Sequence, residues 1–162
     1  MLLRLAYLTV TNAFAALRLL PMGDRDKPPY LAGIEGAGEV TAVGEGVTHL
    51  EPGAHVIGVS VNGGAFAEYM VLPANAAIPV PAGWADEQAL GLVVNWPTAL
   101  AALRPLGGLT AGQIVLIHAA AGGTGQAAVK MARHYGATVI ATAPPGKHEL
   151  VRNWFTSTRS TS

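Results

Sequence analysis

The chain has 162 residues, about one average domain, with 51% hydrophobic and only 12% charged residues, which argues for a packed core and against a disordered chain. Ten basic residues balance ten acidic ones for a formal charge of +0, leaving no basic surplus for nucleic acid or anionic lipid. Cysteine is absent, which removes disulfides, thiolate zinc sites, iron–sulfur clusters and cysteine nucleophiles together and leaves His and carboxylate as the only metal ligands.

In chain order, the first feature is the mostly apolar run Leu5 to Leu17 between Arg4 and Arg18. It is too short to span a bilayer, is broken by Thr9, Thr11 and Asn12, and lacks a small-residue cleavage site after it. A buried strand or helix is the expectation, with a signal peptide as the alternative, and a cytoplasmic chain is the default. Residues 21–30, PMGDRDKPPY, read as a proline-punctuated loop.

From there to about Pro81 the glycine spacing breaks up short Val-, Ile- and aromatic-rich segments, Glu39–Val43, His55–Val59 and Phe66–Val71. That texture predicts an irregular β-barrel or sandwich. Asp86 sits where an N-cap or first-turn acid would favour a helix through about Val94, and Pro97 is tolerated near the start of a second helix reaching about Leu106. The apolar run Ile114–Ile117, a helical stretch Gln126–Tyr135, the helix-stopping Gly136 and a β-branched run Thr138–Ala141 then predict a βαβ unit.

The chemistry concentrates where that first strand meets its helix. With Ala120 in the first slot, the stretch Ala120 to Gln126 reads as the dinucleotide fingerprint with one glycine replaced by alanine. Glycine is needed there because a side chain would keep the backbone from the pyrophosphate, and the helix start offers free N–H groups and a positive dipole end. A tight strand-to-helix turn with no ligand is the alternative. After the second strand, position 142 is Thr and residues 141–147 hold no carboxylate before Lys147. An acid there would grip the ribose 2′-hydroxyl of NAD and repel a 2′-phosphate, so NADPH is favoured, a solvated loop lysine being the alternative for Lys147.

Several segments resemble the medium-chain dehydrogenase/reductase superfamily, and within it the zinc-independent quinone oxidoreductase-like branch that includes VAT-1-type members. They are Gly33 to Val47, Glu51 to Val56, Gly64 to Tyr69, Leu90 to Leu100 with Val94-Asn95-Trp96-Pro97-Thr98-Ala99, and the loop His118 to Gln126. The resemblance covers about residues 30 to 150. It implies an α/β chain with a partial GroES-like β-rich catalytic domain over 1–95, the first βαβ of a Rossmann NADP-binding domain over 96–150, and an atypical tail over 151–162, with NADPH in the cleft between the two domains.

The implied activity is hydride transfer from NADPH to a quinone or enone. By position, Gly122, Gly123, Thr124 and Gly125, with Gln126 closing the motif, would hold the pyrophosphate. Thr98 would lie near the nicotinamide, Lys147 would meet the 2′-phosphate, and Asn95 would line the cofactor site or else cap a helix junction. No catalytic residue is identified. Zinc-dependent relatives carry His where this chain has Ile34 and use cysteines, so no metal is expected; Glu35 is read as structural, and His49, His55, His118, His134 and His148 show no pair at ligand spacing. A full dinucleotide fold has more strands than this sequence supplies, so the chain reads as a fragment, shortened isoform or frame-shifted product. Its unpaired strand edges favour association, with a homodimer as one form and a non-catalytic remnant as the alternative to an enzyme.

Overall fold

In the computed structural model, residues 2–8 and 31–156 are described, and they fall into two compact units, residues 1–93 and 94–162. The division falls two residues before the boundary read from the sequence.

The first unit is built on a five-stranded sheet in the order β4-β1-β2-β3-β5, from β1 (Leu2–Leu8), β2 (Glu35–Ala42), β3 (His55–Val59), β4 (Tyr69–Val71) and β5 (Ala77–Pro79). Every pairing is antiparallel. The β-branched and aromatic segments expected to form strands do so, although the third begins at Tyr69 because Phe66 to Glu68 bend ahead of it. Of the apolar run at the N-terminus, Leu5 to Leu8 belong to β1, whereas Thr9 to Leu17 and the loop over 21–30 lie outside the described residues.

Strand β2 is buried along Glu35 to Gly38 and at Val40, and its core partners include Val56, Met70 and Leu72 on one side and Ile57, Ala89 and Leu90 on the other. Gly33 enters this strand with φ +82°, and a Cβ there would sit 2.6 Å from the Phe66 backbone nitrogen, so only glycine fits. Helix α1 spans Asp86–Leu90, shorter than expected, and Asp86 is its first residue rather than its cap. Ala85 occupies the cap position, where its N–H donates to Gln88 Oε1 at 3.1 Å.

The second unit holds α2 (Asn95–Ala101), a π-helical turn at Ala102–Leu106, β6 (Ile114–Ile117), α3 (Gly123–His134), β7 (Thr138–Ala141) and α4 (His148–Thr156). β6 and β7 pair in parallel with Ile114 opposite Thr138 and Ile117 opposite Ala141, as the two apolar runs predict. Because α3 crosses between them, its apolar face, Ala127, Ala128, Val129 and Ala132, packs with Ile117, Ala99 and Leu103 into one core. Val151 of α4 is buried in the same core and Trp154 packs against it. An ordered helix therefore runs through the start of the expected atypical tail, where Val151 supplies an apolar anchor the Ser/Thr-rich composition obscured.

Candidate functional site

The site starts from how β6 turns into α3. After Ile117 the chain stays tied to β7, since Ala120 N–H donates to Thr142 O at 2.9 Å and Thr142 N–H donates to Ile117 O at 3.0 Å. Ala119 takes φ +51°, the one positive φ of a non-glycine residue among those described, so the tight turn falls one residue before Ala120, which the motif reading put in the first slot. Gly122 N–H then donates to Ala119 O, and α3 begins at Gly123, three residues earlier than expected, with Gly122 as its N-cap.

The hydrogen-bond accounting of this turn decides what it can hold. Gln126 N–H is the first to find a helical acceptor, Gly122 O at 2.8 Å. The N–H groups of Gly123, Thr124 and Gly125 precede it and have no carbonyl one turn back to bond, no side chain caps them, and the first turn contains no acid. Three donors at the positive end of a helix, on exposed or half-buried glycine and threonine residues, are a set that could hold an anion. The doubly phosphorylated part of a dinucleotide fits that donor set.

Gly125 is what lets α3 start there. A Cβ on it would come within 2.7 Å of Ala120 Cα and closer still to Ala119 O, all backbone atoms of the β6–α3 turn. A Cβ on Gly122 would meet only Ala119 O, at 3.3 Å. The third glycine of the motif is thus required for helix-to-strand packing, while the middle one leaves its face open.

The remaining expected residues divide. Asn95 is the first residue of α2, and its carboxamide lies against the loop: Thr124 Oγ1 donates to Asn95 Oδ1 at 2.9 Å, and a Cβ on Gly123 would fall 2.8 to 3.0 Å from the amide atoms. The helix-capping alternative is corrected, because Val94 holds the cap position and no side chain makes a cap bond there. Gln126 turns its side chain back, donating from Nε2 to Ala121 O at 3.3 Å, which braces the loop. Thr98 is exposed one turn further along α2, and Lys147 is exposed in a 3₁₀ turn after β7; no bond joins either to the loop.

Sequence reasoning missed the pair His118 Nδ1 and Thr142 Oγ1, 3.1 Å apart, which links the loop's first residue to the end of β7. It also left unpriced the burial of Glu35, 1% exposed with neither carboxylate oxygen hydrogen-bonded, where desolvation pushes the carboxyl pKa up. Among the described residues no group of three or more His, Asp or Glu could hold a metal ion, and no helix is long and apolar enough to cross a membrane.

Residues 5–82 match the alcohol dehydrogenase GroES-like domain. Over 120 residues the chain is 50% identical to erythronolide synthase EryA2 of Saccharopolyspora erythraea, a match covering 74% of this chain and 3% of that protein. Among solved structures it is similar to the JamJ enoyl reductase, with a TM-score of 0.83 and 28% identity over 95% of this chain and 48% of that one. It is likewise similar to the quinone oxidoreductase of Coxiella burnetii, with a TM-score of 0.82 and 28% identity over 94% of this chain and 50% of that one. The chain thus spans about half the length of these structural neighbours, which are reductases of the medium-chain dehydrogenase/reductase superfamily. A GroES-like unit followed by a βαβ unit is the α/β fold class the sequence implied.

Proposed function

We propose that this chain belongs to an NADPH-dependent reductase that saturates a carbon–carbon double bond conjugated to a carbonyl, of the enoyl reductase kind found with polyketide synthases. The observation that carries the reading is the trio of unbonded N–H groups at Gly123, Thr124 and Gly125 at the start of α3. These amides and the open face of Gly122 would hold the pyrophosphate, with Gln126 bracing Ala121 behind them. Lys147 would meet the 2′-phosphate beyond β7, where Thr142 stands in place of an acid, and Thr98 would approach the nicotinamide from α2. When bound, NADPH supplies the hydride; the chain's own residues bind and orient it, so the rate gain rests on positioning.

The conjugated acyl substrate is favoured over a quinone because a relative 46% identical over 124 residues is the pikromycin polyketide synthase component PikAII of Streptomyces venezuelae, whereas the quinone oxidoreductase neighbour stands at 28%. The test is consumption of NADPH, followed by its absorbance, with an α,β-unsaturated acyl thioester and separately with a small quinone. Turnover of the thioester supports the reading. Turnover of the quinone alone moves the substrate to the quinone class, and binding of NADPH to neither this chain nor a longer form of it removes the reductase reading.

One observation favours a second reading, association without catalysis. One face of the two-stranded parallel sheet leaves Ile114 70%, Leu116 53% and Ile140 53% exposed, although parallel strands are ordinarily covered on both faces. Self-association, for instance as a homodimer, with no NADPH signal would support it.

A further inference from the structure

Asn95 lies 29 residues before Thr124 in sequence and touches the start of α3 in two ways at once. Its Oδ1 accepts the Thr124 hydroxyl at 2.9 Å, and its amide fills the space where a side chain on residue 123 would stand, with Nδ2 2.8 Å from that Cβ position. Both partners are half-buried, so the bond is partly shielded from water. The Thr124 hydroxyl proton is spent on Asn95 and cannot also be given to a phosphate. What the pair leaves free is the backbone, the N–H groups of Gly123, Thr124 and Gly125.

A glycine-rich helix start has low intrinsic rigidity, since glycine costs about 1 kcal/mol relative to alanine in a helix through its backbone freedom. The first turn of α3 contains two glycines, Gly123 and Gly125, and no side-chain cap, so something else must hold it. The first residue of α2 does so.

We infer that Asn95 is a positioning residue for the anion-binding turn, acting through Thr124 and Gly123 rather than by touching the cofactor. This rests on the dinucleotide reading above. Its chemistry is pre-organisation: the three amides are fixed before the anion arrives, so their ordering entropy is not lost on binding.

The experiment is a double-mutant cycle on the full chain with NADPH as the probe, read by cofactor fluorescence, alongside amide hydrogen exchange, without cofactor, of Gln126, the first amide of α3 with a helical acceptor. Asn95→Ala and Thr124→Val are each expected to weaken NADPH about 5- to 10-fold, and the double variant no more than either alone, because both break one link. Thr124→Ser, which keeps the hydroxyl, is expected to bind like the parent. Asn95→Ala, Thr124→Val and the double variant should show equally faster exchange at Gln126 while unfolding at temperatures close to the parent's.

Additive losses in the double variant, or a Thr124→Val chain that binds and exchanges like the parent, would overturn the inference. So would an Asn95→Ala chain with unchanged exchange. Failure of the parent chain to bind NADPH removes the dinucleotide reading instead, and exchange then decides alone whether Asn95 orders the turn through Thr124.

Discussion

Gly125→Ala probes the packing that makes the site. The added Cβ would lie 2.7 Å from Ala120 Cα and 2.9 Å from Ala120 C, whereas carbon atoms settle at about 3.5–4.0 Å. The first turn of α3 would have to retreat by roughly 1 Å, and since every atom in the way is backbone, no rotamer change relieves it. Overpacking of this kind costs about 1–3 kcal/mol, and three backbone atoms inside 3.0 Å place this site in the upper half, about 2–3 kcal/mol; the better helix propensity of alanine returns up to about 1 kcal/mol, leaving a net loss of about 1–3 kcal/mol. Urea unfolding of the purified chain should show that loss as a lower midpoint at unchanged slope. Gly122→Ala is the internal control: its Cβ meets one atom at 3.3 Å, so the chain should stay folded while NADPH affinity falls about tenfold. A Gly125→Ala chain as stable as the parent would refute the packing argument.

Other substitutions test separate parts of the account. Ala119 holds φ +51°, a conformation costing an L-residue about 1 kcal/mol or more, so Ala119→Gly should unfold at an equal or higher urea midpoint; a clear loss would show that the strain is not there. Glu35 is buried without a partner and its pKa is raised by desolvation. Below the unfolded-state pKa of about 4.3 both states are protonated, and above it the unfolded chain loses its proton first, so stability falls as pH rises towards the folded pKa. Glu35→Gln should therefore be more stable than the parent at neutral pH, with the gap closing below about pH 4; parallel stability–pH curves would contradict this. Lys147→Ala should weaken NADPH more than NADH in fluorescence titrations, and equal losses would leave Lys147 a solvated loop residue.

What could be read from the sequence followed the strength of local signals. Ile114–Ile117 and Thr138–Ala141 were legible residue for residue because β-branched runs bounded by glycine leave few alternatives. The start of α3 was placed three residues late because glycines argue against helix, while the structure uses them for close approach to Ala119 and Ala120. β5 carried no signal: three residues ending in Pro79, two of them exposed, are a strand only by pairing with β3. The π-helical turn ending α2 was equally hidden, since the sequence reads as one helix reaching about Leu106 and the bond from Arg104 to Leu109 O forms across the following turn. At the site, the glycine motif marked the strand-to-helix turn that leaves the amides of Gly123, Thr124 and Gly125 without a helical acceptor. The brace of that turn had no such mark, because Asn95 and Thr124 meet only after α2 packs on α3. The burial of Glu35 was also beyond sequence, as strand alternation puts it on the face of Ala37, Glu39 and Thr41, of which the last two are exposed.

The central claim is that the amides opening α3 receive the pyrophosphate of a dinucleotide, and backbone amide NMR of the isotope-labelled chain tests it residue by residue. Adding NADPH should shift the Gly123, Thr124 and Gly125 resonances together and saturably, while amides of the GroES-like sheet, such as Val56 and Ile57, stay in place. Saturating NADPH that leaves those three signals unmoved would contradict the account.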